Sequence, residues 1–231
     1  MAEDADRSAN DRRVERELAR IREAHRYGIV LLLVLVLFVF ADVSSTAPWT
    51  GSVIVLLQAL TLAVALSTSA RRDVRFGVRA VLLTAAVVAV VQLELDHGKP
   101  LSAGMALFSA SLTVATAVVV ALGVTRQDEV NAASVYGAIA IYMLIGMLFV
   151  FVYAATAALD PPFFVQSASQ TRSLLLYFSY ITMATVGYGD YTAADQVGRT
   201  FAVIEALFGQ LYLVTVVAVL VSRFGRRKDR V

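Results

Sequence analysis

The amino-acid sequence predicts an all-α membrane protein with six transmembrane helices and one shorter, re-entrant helix. Hydrophobic residues make up 58% of the 231 positions and charged residues only 16%, whereas a soluble domain carries about 25% charged residues. Apolar runs of spanning length recur along the chain, and the basic residues are concentrated in alternate connecting segments. The chain contains no cysteine, which excludes disulfides and thiolate metal sites.

The first element predicted is an amphipathic helix within residues 1–26. This segment carries charges of both signs, and Val14, Leu18 and Ile21 recur at helical spacing. Two interpretations remain open. The helix is either solvated in the cytoplasm, or its narrow apolar stripe docks on the membrane surface or on a neighbouring subunit.

Six later stretches approach the roughly 20 apolar residues that a transmembrane helix needs. They cover residues 27–43, 52–69, 78–95, 103–124, 133–159 and 197–224. Between the fifth and sixth lies a shorter segment, residues 172–184, which cannot span a bilayer. Residues 225–231 are predicted to form a short cytoplasmic tail.

The basic residues predict the orientation. With the N-terminus in the cytoplasm, 17 of the 20 Lys and Arg residues lie in cytoplasmic segments, and only Lys99, Arg172 and Arg199 lie outside. Cytoplasmic loops carry this excess of basic residues in multi-pass membrane proteins. Both termini are therefore expected in the cytoplasm, and short loops rich in Ala, Val and Arg favour a prokaryotic inner (plasma) membrane.

The loop that follows the short segment carries the clearest chemical signal. It reads Thr-Met-Ala-Thr-Val-Gly-Tyr-Gly-Asp from Thr182 to Asp190. Gly187 and Gly189 stand at alternate positions, where positive φ carries no Cβ penalty, so successive carbonyl groups can turn the same way. A row of carbonyl dipoles can replace the water shell of a small monovalent cation. One such loop cannot close a ring, so several chains must meet on an axis.

This pattern resembles the pore signature of tetrameric potassium channels, and residues 133–224 resemble their unit of outer helix, pore helix, filter and inner helix. The resemblance implies a homotetramer in membrane lipid with potassium as its permeant ion, and neither a cofactor nor a nucleic-acid partner is expected. The implied potassium ligands are the carbonyl groups of Thr185, Val186, Gly187 and Tyr188 and the Thr185 hydroxyl, with Gly189 completing the filter.

The predicted support of the filter departs from the family pattern. The frequent Trp-Trp pair is replaced by Tyr177-Phe178, and Ile181 stands where some members carry a glutamate. Ile181 and Thr182 are expected behind the filter. Tyr177 is the one candidate to tie back Asp190.

The last helix carries four candidate gating residues: Glu205, Gly209, Thr215 and Val219. A charged residue within a span is costly, and structural hydrogen bonding is the favoured role for Glu205. Gly209 lies 21 residues after Tyr188, at a spacing that resembles the family's hinge glycine, and either bending or close helix packing explains it. Thr215 and Val219 are predicted to line the inner pore.

Residues 27–124 are predicted to form a four-helix, voltage-sensor-like domain that lacks gating charges, because residues 103–124 contain no ionisable side chain. The sequence thus predicts a potassium-selective channel that conducts passively and is not voltage-gated. The alternatives are a weakly selective cation channel and a nonconducting or regulatory subunit. No pairing of a nucleophile with a base is evident, so an enzyme is not expected.

Overall fold

The computed structural model of the chain describes residues 24–44, 49–68, 74–94, 99–127, 130–166 and 170–228, and these form an all-helical fold. Its helices are α1 (Ala24–Val43), α2 (Thr50–Thr68), α3 (Val74–Glu94), α4 (Lys99–Thr125), α5 (Ala132–Leu159), α6 (Arg172–Met183) and α7 (Gln196–Lys228). The amphipathic helix predicted near the N-terminus lies outside the described residues, apart from positions 24–26.

Five helices in the described part of the chain are long and apolar enough to cross a membrane: α1, α2, α4, α5 and the first two thirds of α7. The third predicted span coincides with α3, in which the described apolar stretch is Leu82–Val91. The total of six spans therefore stays a prediction. The last helix continues to Lys228, past the predicted end of the sixth span at residue 224.

Side-chain caps determine where the last three helices begin. The Asn131 side chain accepts a hydrogen bond from the Ser134 backbone amide at 3.1 Å, in front of α5. Thr171 does the same for Leu174, in front of α6. Asp195 accepts from two backbone amides in the first turn of α7, at 3.1 and 3.0 Å. Such caps satisfy amides that have no partner inside the helix.

The largest apolar core lies where α1, α5 and α6 meet. It contains Leu37 and Ala41 from α1, and the aromatic residues of α5, of α6 and of the loop between them. Phe38 of α1 also packs edge-to-face on Tyr180 of α6, with ring centroids 4.9 Å apart. The first helix therefore contacts the short helix of its own chain.

The other peripheral helices pack through smaller clusters and buried polar contacts. The Gln58 side-chain amide on α2 donates to the Ser109 carbonyl at 3.1 Å and to Thr113 Oγ1 at 2.9 Å, both on α4. Hydrogen bonds of this kind hold helices together in lipid. The α4 helix packs extensively along α5 of the same chain.

Candidate functional site

The short helix α6 ends at the start of the filter loop. Its 12 residues rise about 18 Å, well below the roughly 30 Å of a bilayer core. The backbone amide of Ala184, the residue at its C-terminal end, donates to the Tyr180 carbonyl at 3.0 Å. Thr171 and Ala184 cap the helix, at the two positions between which the sequence places it.

The filter loop alternates between left-handed and ordinary backbone conformations. The φ angle is +56° at Thr185, +53° at Gly187 and +76° at Gly189. Thr185 is the one non-glycine residue with positive φ within the described ranges, a conformation that is uncommon for a residue with a branched side chain. The two glycines thus adopt the conformation that the sequence predicts for them.

Backbone hydrogen bonds set the direction of the first filter carbonyls. The amides of Val186 and Gly187 both donate to the Ile181 carbonyl, at 2.9 and 3.2 Å. In a trans peptide the C=O and N–H groups point in opposite directions. The carbonyls of Thr185 and Val186, which share peptide units with those two amides, therefore point away from the end of α6.

The filter residues are open on one side in the single chain. Val186 is 51% exposed and Tyr188 is 72% exposed. Large apolar side chains of α7 are similarly exposed, among them Leu207, Phe208 and Leu211. Lipid or further copies of the chain must cover these surfaces.

The predicted tie at the outer end of the loop is present in the structure. Tyr177 Oη donates to Asp190 Oδ2 at 2.8 Å. This hydrogen bond raises the pKa of Tyr177 to about 12, with smaller contributions from burial and from neighbouring charges. Ile181 and Thr182 also contact the loop, but through their backbone carbonyls, since Thr182 O accepts from the Thr185 amide at 2.9 Å.

Two loops whose contact the sequence does not predict meet beyond the end of the filter loop. The Gln166 side chain donates to Thr192 Oγ1 at 2.8 Å and accepts from the Thr192 amide at 2.9 Å. Arg199, which the sequence marked only as an outer charge, donates to the carbonyls of Ala193 and Ala194 at 3.0 and 3.2 Å. No local signal predicts the contacts between Gln166 and Thr192, because these two residues lie 26 positions apart in the sequence.

An aromatic cluster fills the space behind α6. Its members lie on α5, on α6 and in the two loops that flank the site, and their contacting ring centroids are 4.9–5.8 Å apart. They are Tyr153, Phe163, Phe164, Phe178 and Tyr191. Aromatic pairs at such distances stabilise packing beyond their buried area, and the cluster fixes α6 against α5.

Glu205 of α7 is fully buried, with 0% exposure. Tyr153 Oη donates to Glu205 Oε2 at 2.5 Å, and Ser179 Oγ lies 2.5 Å from Glu205 Oε1. The carboxyl group therefore joins α7 to both α5 and α6. These contacts are of the structural hydrogen-bonding kind that the sequence favours for Glu205.

Gly209 lies one turn further along α7 and packs on the end of α6. A Cβ atom at this position would stand 2.5 Å from Met183 Cγ and 2.6 Å from the Met183 carbonyl oxygen. The glycine thus allows a close approach of two helices. The remaining gating candidates, Thr215 and Val219, are exposed on the following turns of α7.

Within the described residues, no group of three or more His, Asp or Glu side chains is placed to hold a metal ion. The row of backbone carbonyls predicted as ion ligands belongs to residues 185–188. It lies beyond the C-terminal end of α6, which carries partial negative charge.

Comparison with known families places this site in a recognised class. Residues 147–226 match a family model described as an ion channel. The match begins within α5 and includes α6, the filter loop and nearly all of α7. This part of the chain is therefore similar to an ion channel family, and the protein is a multi-pass membrane protein. Comparisons with curated proteins and with solved structures found no match.

Proposed function

We propose that the protein is a potassium-selective channel in which four copies of the chain place residues Thr185–Gly189 around a common axis. The carbonyls of Thr185, Val186, Gly187 and Tyr188 replace the hydration shell of potassium. Transport is passive, requires no cofactor, and takes place in a prokaryotic plasma membrane with both termini in the cytoplasm.

The observation that carries this proposal is the backbone of the filter loop. Left-handed φ angles at residues 185, 187 and 189 alternate with ordinary ones at Val186 and Tyr188. Two amides point back to Ile181, so the carbonyls of the same peptide units are free to face an axis. A simple glycine turn does not need this alternation over five residues.

The surroundings of the loop support an assembly around a cation. The aligned peptide dipoles of α6 place about half a negative charge at its C-terminal end, next to the filter. The exposed filter residues and the apolar surface of α7 are the surfaces that a fourfold assembly covers. A homotetramer therefore accounts for both features.

The peripheral helices support passive conduction without voltage sensing. Moving one charge through a membrane potential of 100 mV contributes roughly 2.3 kcal/mol, so sensing needs several charges within the span. Residues 103–124 of α4 carry none. We propose that α1–α4 support the pore mechanically, as a voltage-sensor-like domain without gating charges.

The test is ion flux through the purified protein in liposomes. We expect a reversal potential that follows the potassium gradient in mixed potassium and sodium solutions. Replacing Gly187 by Ala should abolish this selectivity, because φ is +53° at that position and a Cβ atom disfavours it. Gly104→Ala is the matched control, since a Cβ atom at Gly104 of α4 meets nothing within 4 Å.

Three results would contradict the proposal. Equal potassium and sodium permeability would identify a weakly selective cation channel, and the absence of flux would identify a nonconducting or regulatory subunit. Unchanged selectivity in Gly187→Ala would place the ion sites elsewhere.

A further inference from the structure

The buried carboxyl group of Glu205 lies where α5, α6 and α7 meet, and ion coordination does not use it. The side chain is fully enclosed. Its two recorded partners are hydroxyl groups, one from Tyr153 on α5 and one from Ser179 on α6. Neither partner carries a positive charge.

The hydrogen atoms available in this cluster can be counted. Ser179 Oγ lies 2.8 Å from the Gly146 carbonyl oxygen and 2.5 Å from Glu205 Oε1. A serine hydroxyl carries one hydrogen, and the Gly146 carbonyl can only accept. If the hydroxyl satisfies Gly146, the short contact with Glu205 needs a hydrogen from the carboxyl group.

The electrostatic environment of Glu205 also favours a hydrogen on its carboxyl group. Among the described residues, the titratable groups that interact with Glu205 are Tyr142 and Tyr153 from α5 and Tyr180 from α6, all of them phenols. A carboxylate buried in a span without a cation is costly, whereas a neutral carboxylic acid with one donor and one acceptor contact is fully satisfied.

We propose that Glu205 retains its proton and acts as a proton-dependent positioning residue. The hydrogen bonds then run in one direction, from Tyr153 to Glu205, from Glu205 to Ser179, and from Ser179 to the Gly146 carbonyl. This series of hydrogen bonds joins α7 to α5 and to α6. It explains why an acid, and not an apolar residue, occupies this position.

The hydrogen bond between Glu205 and Ser179 lies close to the filter loop. Ser179 precedes Met183 by one helical turn, and Glu205 precedes Gly209 by one turn, so the hydrogen bonds lie next to the contact between Gly209 and Met183. Loss of the proton leaves a buried negative charge and removes one hydrogen bond. Alkaline pH should therefore weaken the contact between α6 and α7.

The direct test is infrared spectroscopy of the purified full-length protein at neutral pH. We expect the carbonyl band of a protonated carboxylic acid, shifted in heavy water, in the wild type and its loss in Glu205→Gln. The exposed Asp160 provides the control, because Asp160→Asn should leave the acid band of the wild type in place. The proposal is overturned if Glu205→Gln removes carboxylate bands and the acid band is absent from the wild type.

Thermal unfolding at several pH values provides the second test. Gln can donate to Ser179 and accept from Tyr153, so Glu205→Gln should match the wild type at neutral pH and lose its decline in melting temperature at alkaline pH. Glu205→Ala should be less stable at every pH. The proposal is refuted if Glu205→Gln is as unstable as Glu205→Ala and the melting temperature of the wild type does not fall at alkaline pH.

A third variant covers the case in which Glu205→Gln does not fold. Ser179→Ala removes the acceptor of the carboxyl hydrogen, so the acid band should move to the higher frequency of a free acid. An unmoved band contradicts the hydrogen-bond direction. Neither measurement depends on potassium conduction, so their outcomes are separate from those of the flux test.

Discussion

Replacing Gly209 by Ala separates close packing from bending as the role of this glycine. The new Cβ atom would stand 2.6 Å from the Met183 carbonyl oxygen, whereas ordinary contacts begin at 3.4 Å. The two helices must therefore separate by about 0.8 Å at this point. The flexible Met183 side chain can move aside, but its carbonyl oxygen moves only with the end of α6.

The expected change in the free energy of unfolding is the sum of two opposing contributions. Overpacking a well-packed site costs about 1–3 kcal/mol, and exchanging Gly for Ala within a helix recovers about 1 kcal/mol. We expect a net loss of up to about 2 kcal/mol. Gly104→Ala, which meets nothing within 4 Å, should gain about 1 kcal/mol, so the two variants should differ by about 1–3 kcal/mol.

The assay is denaturant or thermal unfolding of both variants, combined with potassium and sodium flux in liposomes. Because α6 ends at the filter, Gly209→Ala should also reduce selectivity, while Gly104→Ala should not. A Gly209→Ala protein as stable and as selective as the Gly104→Ala control, with altered opening frequency alone, would refute the packing explanation and favour bending.

Three further predictions concern residues on either side of the filter loop. Tyr177→Phe removes the hydrogen bond to Asp190 and should change the lifetime of the conducting state in single-channel recordings more than the permeability ratio; recordings with neither effect would contradict this. Because the pKa of Tyr177 is raised to about 12, the wild-type hydrogen bond should be complete below the ordinary tyrosine pKa of about 10. It should be lost as the pH rises through about 12, and Tyr177→Phe should lack this dependence. Asp195→Ala removes the N-cap of α7 and should cost about 1 kcal/mol in unfolding measurements, with Asp195→Asn as the control that retains most of it.

The pore helix and its loop could be predicted because their signals are local. An apolar stretch too short to span and two alternating glycines both lie within residues 172–189. Thr185 was assigned to the filter by its place in that motif, but nothing in its residue type predicts a φ of +56°. That conformation is imposed by the hydrogen bonds of the loop to α6.

The contact between Gln166 and Thr192 could not be predicted because the two residues are distant in the sequence. Gln166 and Thr192 stand in loops without helical or strand periodicity, and their pairing depends on how α5 and α7 approach each other. The partners of Glu205 are a further example, since Tyr153 lies 52 residues away. The residue was recognised as costly, but tertiary packing alone decides which hydroxyl groups reach it.

The contact between the first helix and the pore helix has a mechanical consequence. Phe38 packs on Tyr180, and Ser173 near the opposite end of α6 donates a hydrogen bond to Asp42. Because α1 contacts α6 at two points, it resists both rotation and sliding of α6. A displacement of α1 would therefore be transmitted to α6 directly, without first passing through the connector between α4 and α5.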